Sequence, residues 1–97
     1  MKYGIPFTDE IIAVRERYGI SAAKMAQILG FGINQWRHYE AGEVPSVSNG
    51  RMIRSIMSPT VFLDYVNSSK HILGVKEFDK IHHKVSAIVE SDKHNEK

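Results

Sequence analysis

The segment of residues 21–42, SAAKMAQILGFGINQWRHYEAG, constrains the fold most, because its residue order predicts two helices joined by a sharp turn. Ser21 is a favourable N-cap, since its hydroxyl can accept a hydrogen bond from the free amides of a first helical turn. Apolar residues then recur at the spacing of one helical face, at Met25, Ile28 and Leu29. Gly30 can adopt the left-handed conformation in which helices often end, and a second helix is predicted over residues 33–39.

The predicted second helix has two chemically different faces when it is wound at about 100° per residue. Trp36 and Tyr39 fall on the inward face, with Ile33 on their flank. The opposite face carries amide, guanidinium and imidazole side chains, namely Asn34, Gln35, Arg37 and His38. Such side chains hydrogen-bond to base edges and phosphates. An ordinary solvated face more often mixes Glu with Lys, whereas the first carboxylate here is Glu40 at the helix end. The pattern therefore predicts a surface for DNA.

Ten residues of this segment match the helix-turn-helix of the XRE/lambda-repressor-like family: Ser21, Met25, Ala26, Leu29, Gly30, Phe31, Trp36, Tyr39, Glu40 and Gly42. Residues 30–34 and 38–42 most closely resemble the DNA-binding domain of MqsA-type antitoxins, which show G-x-G-x-N and then R-Y-E-x-G. The resemblance covers residues 7–66. It departs from the family at Ala22, where many relatives carry glutamine, and at His38, where they carry arginine.

The remaining apolar patterns predict an all-α fold with five helices at residues 7–66, and the resemblance implies that these form a lambda-repressor-like helix-turn-helix domain. A first helix is predicted from a cap at Thr8 to Gly19. Arg15 and Arg17 on this helix have two interpretations, phosphate contact or a solvated face, and we expect the solvated face because this helix packs behind the helix-turn-helix.

The segment of residues 43–50 is predicted to be a loop, because Pro45 forbids continuation of the preceding helix. We expect Ser48 to cap the next helix, over residues 51–57, while Ser46 is equally suited to capping or to donating its hydroxyl to a phosphate. Ser58-Pro59 then begins a fifth helix, since Pro is favoured at the first helical position.

Residues 74–91 predict a C-terminal amphipathic helix. Its apolar stripe consists of Val75, Phe78, Ile81, His82, Val85, Ile88 and Val89. One interpretation is that the stripe folds back and covers the core of its own domain. The other is that it meets its copy in a second subunit. Because helix-turn-helix proteins commonly dimerise, we expect these residues to form a dimer interface.

Composition excludes several classes of protein. The chain has no cysteine, which rules out a disulfide scaffold and any cysteine-based zinc site. MqsA-type antitoxins usually carry a cysteine-rich zinc domain that binds a toxin, so the chain is expected to be either a stand-alone regulator or one that lacks that half. Asp79 with His82 and His83 does not make a metal site, because adjacent histidines diverge by about 100° on a helix. No catalytic motif is present, and we expect neither an enzyme nor a cofactor.

The net charge is only +2, so DNA binding must depend on where the charges lie. No segment has the length of a membrane span or the apolar core of a signal peptide. With the family resemblance, this implies a bacterial cytoplasmic protein, associated with the nucleoid and without a membrane partner.

The resemblance and the outer face together predict a sequence-specific transcriptional repressor that binds palindromic double-stranded DNA as a homodimer, with a toxin protein as a further possible partner. The residues expected to read bases are Asn34, His38 and Ile33. The residues expected to contact the DNA backbone are Lys24, Gln35, Arg37, Ser46 and Arg51. The alternative is a protein-interaction module, such as an antitoxin or adaptor, whose helix-turn-helix does not bind DNA. Ala22 and the small net charge favour this alternative.

Overall fold

The structure, a computed structural model, describes residues 4–95, and it describes side-chain burial through residue 93. The described residues contain seven helices. They are α1 (Thr8–Tyr18), α2 (Ala22–Leu29), α3 (Gln35–Glu40), α4 (Val47–Ser55), α5 (Pro59–Ser68), α6 (Lys70–Leu73) and α7 (Val75–Asn95). The all-α prediction is confirmed for these residues. The helix count differs from the prediction, because the connection between the fifth helix and the C-terminal helix contains the short α6.

The ends of the first two helices are set by local capping. The carboxylate of Glu10 accepts from the backbone N–H of Phe7 at 2.8 Å, so the N-cap of α1 is Phe7 and not Thr8. Gly19 ends this helix, as predicted, and does so in the left-handed conformation. For α2 both predicted ends are confirmed: Ser21 Oγ accepts from the backbone of the first turn at 3.1 Å, and Gly30 has φ 77°.

The third helix begins two residues later than the sequence predicts. Ile33 and Asn34 form a turn, in which the backbone N–H of Gln35 donates to the carbonyl of Gly32 at 2.9 Å. Asn34 is therefore the N-cap residue of α3 and does not lie inside the helix. The prediction was wrong here because helical periodicity fixes the apolar face of a short helix but does not identify its first residue.

The fourth helix also begins at a different place, four residues earlier than predicted. Ser46, not Ser48, is its N-cap, because Ser46 Oγ accepts from the backbone N–H of Asn49 at 3.1 Å. Gly50 lies within this helix and not in a loop. A β-carbon on Gly50 would lie 3.0 Å from Cγ1 of Ile5, so the segment of residues 4–7, the N-terminal arm, packs directly on the helix backbone there.

One hydrophobic core connects the helices. Its largest fully buried side chains are Trp36, Tyr18, Phe62, Ile11, Met25, Ile53, Ile56, Val66 and Val85. Tyr18 stacks on Phe62 with ring centroids 4.2 Å apart, and its hydroxyl donates to the carbonyl of Ile56 at 2.6 Å. This bond satisfies the one polar atom of the side chain, which a buried tyrosine requires.

The C-terminal helix covers the core of its own domain. Ile81, Val85 and Val89 are buried, and α7 packs mainly along α5. The apolar surfaces of Ile81 and Val85 are therefore already buried within one chain, as in the interpretation in which the stripe covers its own core. Of the other stripe residues, Phe78, His82 and Ile88 are partly buried, whereas Val75 is 71% exposed. A dimer contact through this stripe stays a prediction, and these four residues keep apolar surface available for it.

Candidate nucleic-acid interface

Helix α3 is fixed by its inner face. Trp36 is 0% exposed and Tyr39 is 3% exposed, so the predicted inward orientation of both residues is confirmed. The ring of Phe31, from the turn, meets the ring of Tyr39 edge-on with centroids 6.0 Å apart. Asn49 of α4 donates its side-chain N–H to the Tyr39 hydroxyl at 2.9 Å. The neighbouring turn and helix therefore both hold α3 in place.

Glu40 connects α3 to α1 through its carboxylate. Its carboxylate accepts from Nε of Arg15 at 2.5 Å, from Nη2 of Arg15 at 3.1 Å and from Nε1 of Trp36 at 2.6 Å. Arg15 also donates to the carbonyl of Ile20 at 3.2 Å. A guanidinium that donates to both oxygens of a carboxylate fixes the relative orientation of the two groups as well as the distance between them. The network thus fixes the angle between α1 and α3.

The charges of this pair stabilise each other. Partial burial acts to raise the pKa of Glu40, but the hydrogen bonds from Arg15 and Trp36 and the charge of Arg15 outweigh it and lower this pKa. The hydrogen bond to Glu40 raises the pKa of Arg15. The prediction that Arg15 remains in water is wrong, since its side chain is only 24% exposed. Arg17 stays more exposed and pairs with Asp92 at 3.2 Å.

The outer face of α3 presents the predicted polar side chains. Asn34, Arg37 and His38 are exposed. Ile33, which the helical pattern placed beside the two inward aromatic residues, is 64% exposed. The shift of the helix start accounts for this difference, because Ile33 lies in the turn and not on the inner face.

Glu43 contacts the polar residues of α3, although the sequence patterns predicted no role for it. Its carboxylate accepts from Nε2 of Gln35 at 2.7 Å. A carboxylate has no proton to donate, so this bond requires the NH2 group of Gln35 to face Glu43. The amide oxygen of Gln35 and one N–H remain for another partner. The two residues are eight apart, beyond the three- and four-residue spacings that reveal side-chain pairs on a helix.

The predicted backbone-contacting residues lie around α2, α3 and α4. Lys24 is partly buried in the first turn of α2. The hydroxyl oxygen of Ser46 accepts the hydrogen bond that caps α4. This bond does not use the hydroxyl proton of Ser46. Arg51 is exposed, but it is the fifth residue of α4 and not part of its first turn as predicted. The backbone N–H of Arg51 is therefore not among the free amides of the first turn.

Metal-ligating side chains do not cluster in the described part of the molecule: within residues 4–93, no three side chains of the His, Cys, Asp or Glu type come together. In the same part of the chain, no helix combines the length and apolar character needed to cross a bilayer. No family model, curated protein or solved structure matches this chain.

Proposed function

We propose that the chain is a transcriptional regulator of the XRE/lambda-repressor-like class, which binds double-stranded DNA through α2, the turn and α3. The observation that carries the proposal is the contrast between the two faces of α3. The inner face is held by Trp36, Tyr39 and Glu40, while the outer face exposes Asn34, Arg37 and His38. A rigid helix with exposed hydrogen-bonding side chains suits the geometric demands of reading a DNA groove.

Asn34 is the principal candidate for reading a base. In helix-turn-helix proteins the N-terminal residues of the second helix contact base edges, and Asn34 stands at that end of α3. Its side chain makes no capping hydrogen bond to α3, so the amide is available to pair with N6 and N7 of adenine. Exposed Ile33 suits apolar contact with a thymine methyl group, and His38 suits a base acceptor.

The remaining polar residues of this surface would position the protein without specifying sequence. Contacts to phosphates fix register and orientation on a duplex. We assign this role to Lys24, Gln35, Arg37, Ser46 and Arg51. A repressor of this class would act as a homodimer on a palindromic site, with half-sites about 10 bp apart or a multiple of that distance.

A protein-interaction module is the second candidate function. A groove of about 330 Å³ lies between the N-terminal arm and the segment after α3. Phe7 and Val44, which line it, are 56% and 75% exposed. Exposed apolar side chains around a groove suit a protein partner better than they suit phosphates. A toxin protein would be a partner of this kind.

Asn34→Ala and Arg37→Ala distinguish base reading from backbone contact. Duplexes enriched from a random pool by the wild-type protein provide the specific site, and fluorescence anisotropy across a salt series measures affinity. Asn34→Ala should cost about 1–3 kcal/mol and relax preference at one base pair. Arg37→Ala should weaken all sequences alike and lower the slope of log K against log salt by about 1.

The outcomes test the choice between the two candidate functions and the role of Asn34. A wild-type protein that enriches no sequence and shows no salt-dependent affinity for DNA would contradict DNA binding and favour the protein-interaction module. Equal weakening of specific and random duplexes by Asn34→Ala would show that Asn34 is not the base reader. Lys93→Ala is the control, because Lys93 is an exposed lysine near the end of α7.

A further inference from the structure

A polar cleft of about 250 Å³ lies where the beginning of α2 approaches α7. Lys24 lines it from α2, and Lys80 and Lys84 line it from α7. Glu77 is the carboxylate-bearing residue of its lining. The cleft is therefore lined by three lysines and one glutamate, although the charge of the whole chain is only +2.

The lysines of the cleft have hydrogen-bonding capacity left for a ligand. Lys84 Nζ donates to the carbonyl of Gly19 at 3.0 Å, which fixes the position of this ammonium group. An ammonium has three donors, so two remain. In the described part of the chain, the salt bridges involve Arg15, Arg17 and Lys93, and none of the cleft lysines. The charge of the cleft is thus not neutralised by a close ion pair there.

We infer that this cleft binds phosphodiester groups of the DNA backbone, so that α7 supplies Lys80 and Lys84 to the DNA-binding surface alongside Lys24. The inference rests on the proposed function and adds the C-terminal helix to it. The sequence alone suggested two interpretations of α7, a helix that forms a dimer interface and a helix that covers the core of its own domain. Neither interpretation gives a role to these two lysines.

The position of the cleft relative to α3 supports DNA as the source of the phosphate. In helix-turn-helix proteins the first helix crosses the DNA backbone while the second lies in the major groove. With α3 in the groove, α2 is therefore expected to cross the phosphates at the groove edge. The cleft opens at the beginning of α2.

The test compares two double variants with the same loss of charge. Lys80→Ala/Lys84→Ala removes the α7 side of the cleft. Lys70→Ala/Lys93→Ala is the matched control, because both of its lysines are exposed and neither lines the cleft. Affinity for a random duplex is measured by anisotropy between about 50 and 200 mM salt, the range in which phosphate contacts change affinity strongly.

We expect Lys80→Ala/Lys84→Ala to lower the slope of log K against log salt by about 2, since each phosphate contact contributes about 0.9. Preference among sequences should not change, because phosphate contacts carry no base information. Lys80→Arg/Lys84→Arg should keep the wild-type slope. The control double variant should also keep it. Circular dichroism verifies that all variants are folded, which the exposure of both α7 lysines leads us to expect.

Four results would overturn the inference. If the cleft variant keeps the wild-type slope while Arg37→Ala lowers it, DNA binding stands and the role of α7 falls. If both double variants lower the slope equally, the effect is one of net charge and not of the cleft. If nuclear magnetic resonance shows saturable binding of inorganic phosphate at the cleft without any effect of its lysines on DNA affinity, the ligand is a free phosphate. A wild-type protein without affinity for DNA would remove the proposed function and this inference together.

Discussion

Glu40→Ala should lower the free energy of unfolding by about 3 kcal/mol. The substitution removes the acceptor of three N–H groups, two on Arg15 and one on Trp36. Hydrogen bonds to a charged group contribute about 1.5–3 kcal/mol each, but they are not additive within one network. Breaking a fully buried ion pair costs about 3–5 kcal/mol, and an exposed pair contributes about 0–1 kcal/mol. With side chains 24% and 18% exposed, the Arg15–Glu40 pair lies between these limits and closer to the buried one.

Urea unfolding followed by far-ultraviolet circular dichroism measures this loss. In a domain of this size, about 3 kcal/mol corresponds to a decrease in Tm of about 12–24 °C. Fluorescence provides a second probe, because Trp36 is the only tryptophan of the chain and its Nε1 donates to Glu40. Glu40→Gln should cost about half as much, since the amide keeps one acceptor oxygen for Arg15 or Trp36.

A double-mutant cycle with Arg15→Ala isolates the pair. Because the two side chains are in direct contact, the coupling free energy should exceed about 1 kcal/mol. A loss below about 1 kcal/mol for Glu40→Ala, with an unchanged dependence on urea, would refute the assignment of this network as the anchor of α3. Glu16→Ala on the exposed face of α1 is the control and should change stability by less than about 0.5 kcal/mol.

The same carboxylate predicts a pH dependence. The pKa of Glu40 is lowered in the folded protein, so the unfolded chain binds more protons in the acid range and stability decreases as pH falls. The stabilisation from ionised Glu40 is fully present above the pKa of a glutamate in the unfolded chain, about 4.3. It is lost as pH falls through the lower pKa of Glu40 in the folded protein. The difference in unfolding free energy between wild type and Glu40→Gln should thus shrink between about pH 5 and pH 3. A difference that is constant over this range would contradict the charge-based explanation.

Two further predictions concern backbone capping, and each has a control next to it in the chain. Ser46→Ala should lower the free energy of unfolding, measured by chemical denaturation, by about 1 kcal/mol, because it removes the acceptor for the backbone N–H of Asn49. Ser48→Ala should lower it by less than about 0.5 kcal/mol. The opposite order would place the cap of α4 at Ser48. Gly30→Ala should cost about 1–2 kcal/mol because Gly30 has φ 77°, while Gly32→Ala, at a position outside the left-handed region, should be nearly neutral in the same assay. Equal costs at the two glycines would argue against a strained turn.

Features that depend on a few neighbouring residues could be predicted from the sequence. The cap at Ser21 and the left-handed end at Gly30 follow from side-chain and backbone chemistry within one helical turn. The inward orientation of Trp36 and Tyr39 follows from helical spacing, and the start of α5 follows from Pro59 at its first position. The chemistry that sets these features acts within a few residues, so it is the same in an isolated segment as in the folded protein.

Features that depend on distant residues could not be predicted, because periodicity shows which face is apolar but not what it packs against. Arg15 and Glu40 are 25 residues apart, and only the packing of α1 on α3 makes them a pair. The contact of Gly50 with the N-terminal arm is likewise a tertiary one.

For α7 the sequence determined a helix with one apolar stripe, and the tertiary structure decided that its central residues cover the core of their own domain. Apolar burial is non-directional, so a stripe gains similar free energy against its own chain or against a second copy. The same packing brings Lys80 and Lys84 to Lys24 across more than fifty residues of sequence, a proximity that no local pattern contains.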